Sequence, residues 1–295
     1  MSKSIRFCCV CVLCAAALMT ACKKDRDGAP QQRAQAEAPI ATPAQPAPVE
    51  LKDVMENDAR YIIGISYPPQ AAQYPGLAQA LRSYADNARA ELLKAVAAVD
   101  PGKQNGPFDL TLNFTLVAET AEIIAVAADG SSFTGGAHGT PLVARFVWLP
   151  KQSRLLASDS LFSDPRSWGI ISDYTREQLH ASLSQRVDDD ELPPAERADI
   201  MRSVGKMIDA GTEPAAPSFA AFEPVLAPES DKLMGLRFVF PPYQVGPYAD
   251  GVRMVEVPTE VLLQHLAPEY RSMFVVVKPA PVADIVAAPA ASPTQ

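Results

Sequence analysis

Apolar and polar positions alternate from Arg60 to Tyr67 in an Ile- and Tyr-rich stretch that ends at Pro68-Pro69, the pattern of a strand closed by a breaker. Leu77, Leu81, Tyr84, Ala88, Leu92, Val96 and Val99 then recur at intervals of three or four, up to Asp100-Pro101-Gly102. That spacing places one apolar stripe along a helix. Phe108, Leu110, Leu112, Phe114 and Leu116 alternate with Asp109, Thr111, Asn113 and Thr115, which predicts a strand with one buried and one wet face. A tight connection near Thr120-Ala121 leads into a second strand from Glu122 to Ala128, and Pro141 to Leu149 followed by Lys151 to Leu156 reads as another hairpin.

Further on, Ser163-Asp164-Pro165 resembles a capped helix start with proline at the first turn. It opens a helix from Arg166 to about Arg186 with Ile171, Tyr174, Gln178 and Leu179 on its inner face. Pro193-Pro194-Ala195-Glu196 opens another, ending at Gly211, and strands return at Phe219 to Leu226, Leu236 to Phe240 and Arg253 to Val257 before a short helix from Thr259 to His265. Strands and helices are segregated rather than alternating. The fold class expected is α+β, an antiparallel meander sheet with helices packed on one face.

Outside this unit, at residues 54–278 with halves near 54–157 and 158–278, the pattern changes. Lys3 and Arg6 precede an apolar run from Phe7 to Met19, about 13 residues, the length of an export signal core and short of the ~20 a membrane-crossing helix needs. The run ends in Met19-Thr20-Ala21-Cys22, which resembles the bacterial lipobox and implies a signal peptide over residues 1–21 and lipidation of Cys22. Several acyl chains hold where one is marginal, so the outer membrane is the expected partner through this anchor. By resemblance to Gram-negative lipoproteins, Lys23 in place of an aspartate implies the outer membrane, facing the periplasm, with the inner membrane and the cell surface as the alternatives. Residues 22–53, with Ala38-Pro39, Thr42-Pro43, Gln45-Pro46 and Ala47-Pro48, have the composition of a tether, and residues 279–295 that of a Pro/Ala tail.

Composition narrows the chemistry. The net charge is −8 and charged residues make up 20% of the chain, which disfavours a nucleic-acid partner because phosphate binding needs a basic surface. Loss of residues 1–21 removes two positive charges and no negative ones, leaving −10. All five cysteines lie within the first 22 residues, so the folded unit has no disulfide, thiolate metal site or cysteine nucleophile. The three histidines, His138, His180 and His265, share no metal-ligand spacing, and neither metal nor cofactor is expected. There is no Gly-x-Ser-x-Gly elbow, and Asp188-Asp189-Asp190-Glu191 reads as a solvated turn between helices.

Two loops stand out. Phe133 to Thr140 carries Gly135, Gly136 and Gly139 around His138, a density of glycine that permits a sharp turn or presents backbone amides to a ligand. Its bland reading is a specialised turn with His138 bonded to neighbouring backbone. Phe240 to Gly251 holds Tyr243, Tyr248 and Asp250 among prolines and glycines; a rigid loop can display tyrosines as contact surface, with packing of both rings into the core as the default. The candidate ligand contacts are therefore Gly135, Gly136, His138, Gly139, Tyr243, Tyr248 and Asp250.

These segments, with Leu155 to Phe162 and Val255-Glu256-Val257-Pro258, resemble a bacterial extracytoplasmic domain family found in the sensor part of RsiV-type anti-sigma factors and beside the catalytic domain of PdaC-type polysaccharide deacetylases. The resemblance covers about residues 56 to 270. The chain lacks the sigma-binding segment and membrane span of the former and the metal-binding catalytic domain of the latter. What the resemblance implies is the shared module alone, which binds lysozyme in the RsiV-type sensors. The function expected is a non-enzymatic, lipid-anchored envelope protein that binds lysozyme, another basic protein or a peptidoglycan-related ligand. The alternatives are a glycan hydrolase or deacetylase-like enzyme using His138 as general base, which calls for a carboxylate within its reach, and a purely structural lipoprotein.

Overall fold

A computed structural model describes residues 49–189 and 192–277. The signal peptide, Cys22, residues 22–48 of the expected tether and the Pro/Ala tail lie outside the described residues, as does the Asp190-Glu191 part of the acidic turn. The end of the expected tether belongs to the fold instead, since Leu51 packs against the core and the Asp53 carboxylate accepts the Tyr67 N–H at 2.9 Å.

The described chain is an α+β unit built on two sheets. In the first, strands β1 (Val54–Asn57), β2 (Tyr61–Ser66), β3 (Phe108–Glu119), β4 (Ile124–Phe133), β5 (Thr140–Leu149) and β6 (Arg154–Leu155) stand side by side in chain order. All neighbours are antiparallel except β2 and β3. That parallel pair departs from the meander expected from the sequence. Its cause is helix α1 (Pro75–Ala98), which lies between β2 and β3 and carries the chain back to its starting end, as parallel strands require.

Helix α1 sits on one face of this sheet. Leu77, Leu81, Leu92 and Val96 of its stripe pack against Ile63, Ile65, Leu110, Leu112, Phe114, Val126 and Trp148, all buried. Arg60 closes the helix by donating to the carbonyls of Val96 and Val99, the latter at 2.6 Å; a guanidinium there satisfies carbonyls that the helix leaves without partners. Thr111, Asn113 and Thr115 of β3 are exposed, as the alternation predicts. Near the strand's end the register with β4 shifts between Leu116 and Ala118, and Val117 and Ala118 turn to the opposite core, the effect of a bulge.

That second core lies between the far part of the first sheet's other face and the rest of the chain. Helices α2 (Ser167–Asp189) and α3 (Pro194–Gly211) precede a three-stranded antiparallel sheet of β7 (Phe222–Leu226), β8 (Leu233–Phe240) and β9 (Arg253–Pro258). The short helices α4 (Thr259–Leu262) and α5 (Pro268–Arg271) follow. Ala125, Val147 and Leu149 from the first sheet meet Trp168, Phe219, Phe238 and Phe240 here, with Trp168 stacked on Phe219 at 5.1 Å.

In α2 the capped start becomes specific and two local expectations are corrected. Within Ser163-Asp164-Pro165 the capping residue is Asp164, its carboxylate accepting the Arg166 N–H at 3.0 Å. Gln178 is exposed, and the inner face of α2 instead includes Ile171, Thr175, Leu179 and Leu183. The helix also runs on through Asp188, which pairs with Arg197 of α3, so that part of the acidic run is helical rather than a turn.

A buried ion-pair network joins the two sheets. Arg145 of β5 and Glu223 of β7, with side chains only 3% and 7% exposed, meet at 2.9 Å. Arg145 also reaches Asp129 at 3.0 Å, and Arg237 of β8 bridges Glu223 at 2.9 Å and Glu256 at 3.3 Å. Each buried charge thus has more than one partner, the condition under which such groups are tolerated inside a protein.

Candidate functional site

The two loops singled out in the sequence meet. The first is the tip of the β4–β5 hairpin. Gly135 and Gly136 have φ of +94° and +112°, a backbone region in which side chains are strained and glycine is not. The chain turns there and folds back so that Gly139 lies against Ser131, a hypothetical Cβ coming to 3.4 Å of the serine Cβ. This places the His138 ring, exposed to solvent, over the second loop.

The second loop, between β8 and β9, is fixed from below. The Tyr243 N–H donates to the Gly246 carbonyl at 2.9 Å, and the Gln244 N–H to that of Pro241 at 3.1 Å. The Gln244 side-chain amide donates to the carbonyls of Gly211 and Ser218, at 2.9 and 2.8 Å, while Val245 is buried. Gly211, at the end of α3, permits this contact because any Cβ there would lie 2.1 Å from the Gln244 carbonyl oxygen. Asp250 closes the loop: its carboxylate, 14% exposed, is shared by Arg186 of α2 at 2.7 Å and Arg253 of β9 at 3.4 Å. Asp250, a candidate ligand contact in the sequence, therefore serves as an anchor.

What the anchors hold up is aromatic. His138 stacks on Tyr248, ring centroids 4.0 Å apart at 16°, and Tyr243 Oη lies 2.9 Å from His138 Nε2. His138 Nδ1 lies 3.3 Å from the Gly139 carbonyl oxygen. Only a nitrogen bearing hydrogen can approach a carbonyl as donor, so in the neutral ring Nδ1 donates to Gly139, and Nε2 accepts the Tyr243 O–H. His138 thus has the backbone partner expected of a specialised turn, and also a partner from across the molecule.

Core packing of the two tyrosines is overturned. Tyr243 is 53% exposed and Tyr248 is half-buried. Tyr243 also holds φ of +74°, a conformation costly for a bulky side chain and found where surrounding structure enforces it. Here the turn bonds, the Gln244 anchor and the His138 contact enforce it.

The recorded partners of His138 are a phenol and a carbonyl, not the carboxylate that a general base of the expected kind calls for. Among the described residues no three His, Cys, Asp or Glu side chains cluster as metal ligands, and no helix is long and apolar enough to cross a membrane. Sequence reasoning missed Arg186 and Gln244, which hold the second loop. It also missed the Arg145–Glu223 network, whose only trace in the sequence is a charged residue inside each of two apolar strands.

Fold and site together describe an α+β unit of two sheets that presents a histidine–tyrosine pad from two loops. Neither a protein-family model nor a curated protein matches the sequence. Among solved structures, the chain is similar to a DUF3298 family member from Bacteroides fragilis NCTC 9343, at 16% identity and a TM-score of 0.46, over 74% of this chain and 94% of that one. It is also similar to a DUF3298 family protein from Pseudomonas aeruginosa PAO1, at 13% identity and a TM-score of 0.47, over 77% and 97% of the two chains. Likeness at this level carries no functional argument, which rests on the pad itself.

Proposed function

We propose that this chain is a lipid-anchored protein of the cell envelope whose α+β unit binds a ligand without transforming it, with the pad of His138, Tyr243 and Tyr248 as the contact. One observation carries the reading. Tyr243 is held in a strained backbone conformation, half out in solvent, with its hydroxyl fixed by a histidine 105 residues away. A tyrosine serving only the core would be turned inward, whereas a rigid, partly exposed aromatic offers contact area at little further cost in conformational entropy.

The lipobox-like Met19 to Cys22 supports the anchor, and the resemblance to RsiV-type sensors supports lysozyme or a peptidoglycan fragment as the ligand. The acidic balance of the chain favours encounter with basic proteins such as lysozyme. The test is a titration of the full-length protein in moderate salt against a panel of lysozymes, soluble peptidoglycan fragments and a basic control protein matched in charge. Binding to a lysozyme or a fragment but not to the control is expected. Equal, salt-sensitive binding to both proteins, with none to the fragments, would reduce the attraction to generic charge pairing.

A further inference from the structure

Strand β9 is the last strand of the second sheet, and its outer side faces a trench of about 570 Å³ whose opposite wall is Gln178, Leu179 and Ser182 of α2. Five consecutive residues, 252–256, line the trench. Side chains alternate between the faces of a strand, so an unbroken run means that the trench is bordered by the backbone edge itself.

The register shows which backbone groups are free. The Val239 N–H donates to the Ala221 carbonyl at 2.9 Å, just ahead of β7, so the odd-numbered residues of β8 turn toward β7. Pro224, which has no N–H, stands opposite Leu236, in agreement with this phase. Leu236, Phe238 and Phe240 therefore bond to β9 through Val257, Val255 and Arg253, their partners in register. By the alternation of an antiparallel pair, Met254 and Glu256 direct their N–H and C=O groups away from β8, into the trench. Among the described residues no backbone bond outside the sheet ladder involves either of them. Met254 is also half exposed.

One end of the trench carries a charge preference. Arg253 borders both this trench and the neighbouring cleft that holds Arg186 and Asp250. There two guanidiniums share one carboxylate, a positive surplus in an otherwise acidic chain, while toward the other end Glu256 shares Arg237 with Glu223.

We propose that the β9 edge is a peptide-binding site: an extended peptide adds to β9 as a further strand through Met254 and Glu256, with a carboxylate at the end that meets Arg186 and Arg253. Main-chain bonds supply affinity in this mode, and side-chain pockets and terminal charges supply selectivity. The site is separate from the His138 pad and does not depend on it.

The test pans a random short-peptide display library against the full-length protein, measures affinities of selected synthetic peptides, and follows amide exchange. In the free protein the amides of Met254 and Glu256 should exchange readily, while those of Arg253, Val255 and Val257 are protected. Selected peptides should carry an acidic group and should slow exchange at 254 and 256. Met254→Pro removes an outward N–H and spares the ladder to β8. It should weaken binding about tenfold or more, and methylating alternate peptide nitrogens, which leaves the protein untouched, should do the same. Failure to select any peptide, tight binding that survives backbone methylation, or prior protection of the 254 and 256 amides would overturn the proposal.

Discussion

Tyr67 shows how a single side chain couples this fold to pH. Its ring stacks on Phe114 at 4.8 Å, and burial, reinforced by Asp86, pushes its hydroxyl up from 10.0 to about 12. Desolvation disfavours the phenolate, so the folded state holds the proton more tightly than the unfolded chain. The resulting stabilisation is complete below pH 10 and is lost as pH rises through about 12. Equilibrium unfolding of wild type and Tyr67→Phe across the alkaline range should show a steeper decline in the wild type, confined to the window from pH 10 to about 12. Parallel curves would mean that Tyr67 has the same affinity for its proton in both states.

Tyr243 makes the opposite case at the same scale, because its conformation is costly and its ring faces water. The sequence showed that residues 240–251 form a rigid loop with tyrosines on it, since prolines and glycines are local signals. It did not show which way the rings point. That depends on anchors from α2 and α3, Arg186 and the Gly211 carbonyl, which no local pattern reveals.

Among the elements, β5 and β7 are tied by charge. Removing one partner of the Arg145–Glu223 pair leaves the other buried and poorly compensated, so Glu223→Gln should cost about 3–5 kcal/mol in denaturant unfolding. A double replacement of Arg145 and Glu223 by methionine should cost clearly less, since neither charge is then stranded, although Arg237 and Asp129 each lose one contact. A loss in the double variant equal to the sum of the losses in the two single methionine variants would show that the pair is not coupled.

The alternation of β3 and the stripe of α1 were legible because burial imposes a period on neighbouring residues. Pairing across distance was not. Nothing in the Ile-rich pattern of β2 announces that it runs parallel to β3, and the ion pair joins residues 78 apart. The candidate site divides the same way: each loop is conspicuous by its own composition, while the bond between His138 and Tyr243 spans 105 residues and follows only from the placement of the two sheets.

Taken whole, the molecule is proposed to work at a membrane through a lipid at Cys22. Acyl attachment contributes about 0.8 kcal/mol per buried methylene, so the effect of losing it should be large. Cys22→Ser, expressed in a Gram-negative host, should move the protein from the membrane fraction to the soluble envelope fraction and abolish palmitate incorporation. Labelling of the serine variant, or unchanged fractionation, would remove the lipid from the account.

The claim on which the account turns is that the pad grips a ligand. The most direct measurement is the affinity of the full-length protein for lysozyme in moderate salt, compared with that of Tyr243→Ala. The account predicts a loss of about tenfold or more, the size expected when an exposed aromatic anchor is removed from a contact, with the fold intact by circular dichroism. Lysozyme binding of unchanged strength in the alanine variant would contradict it.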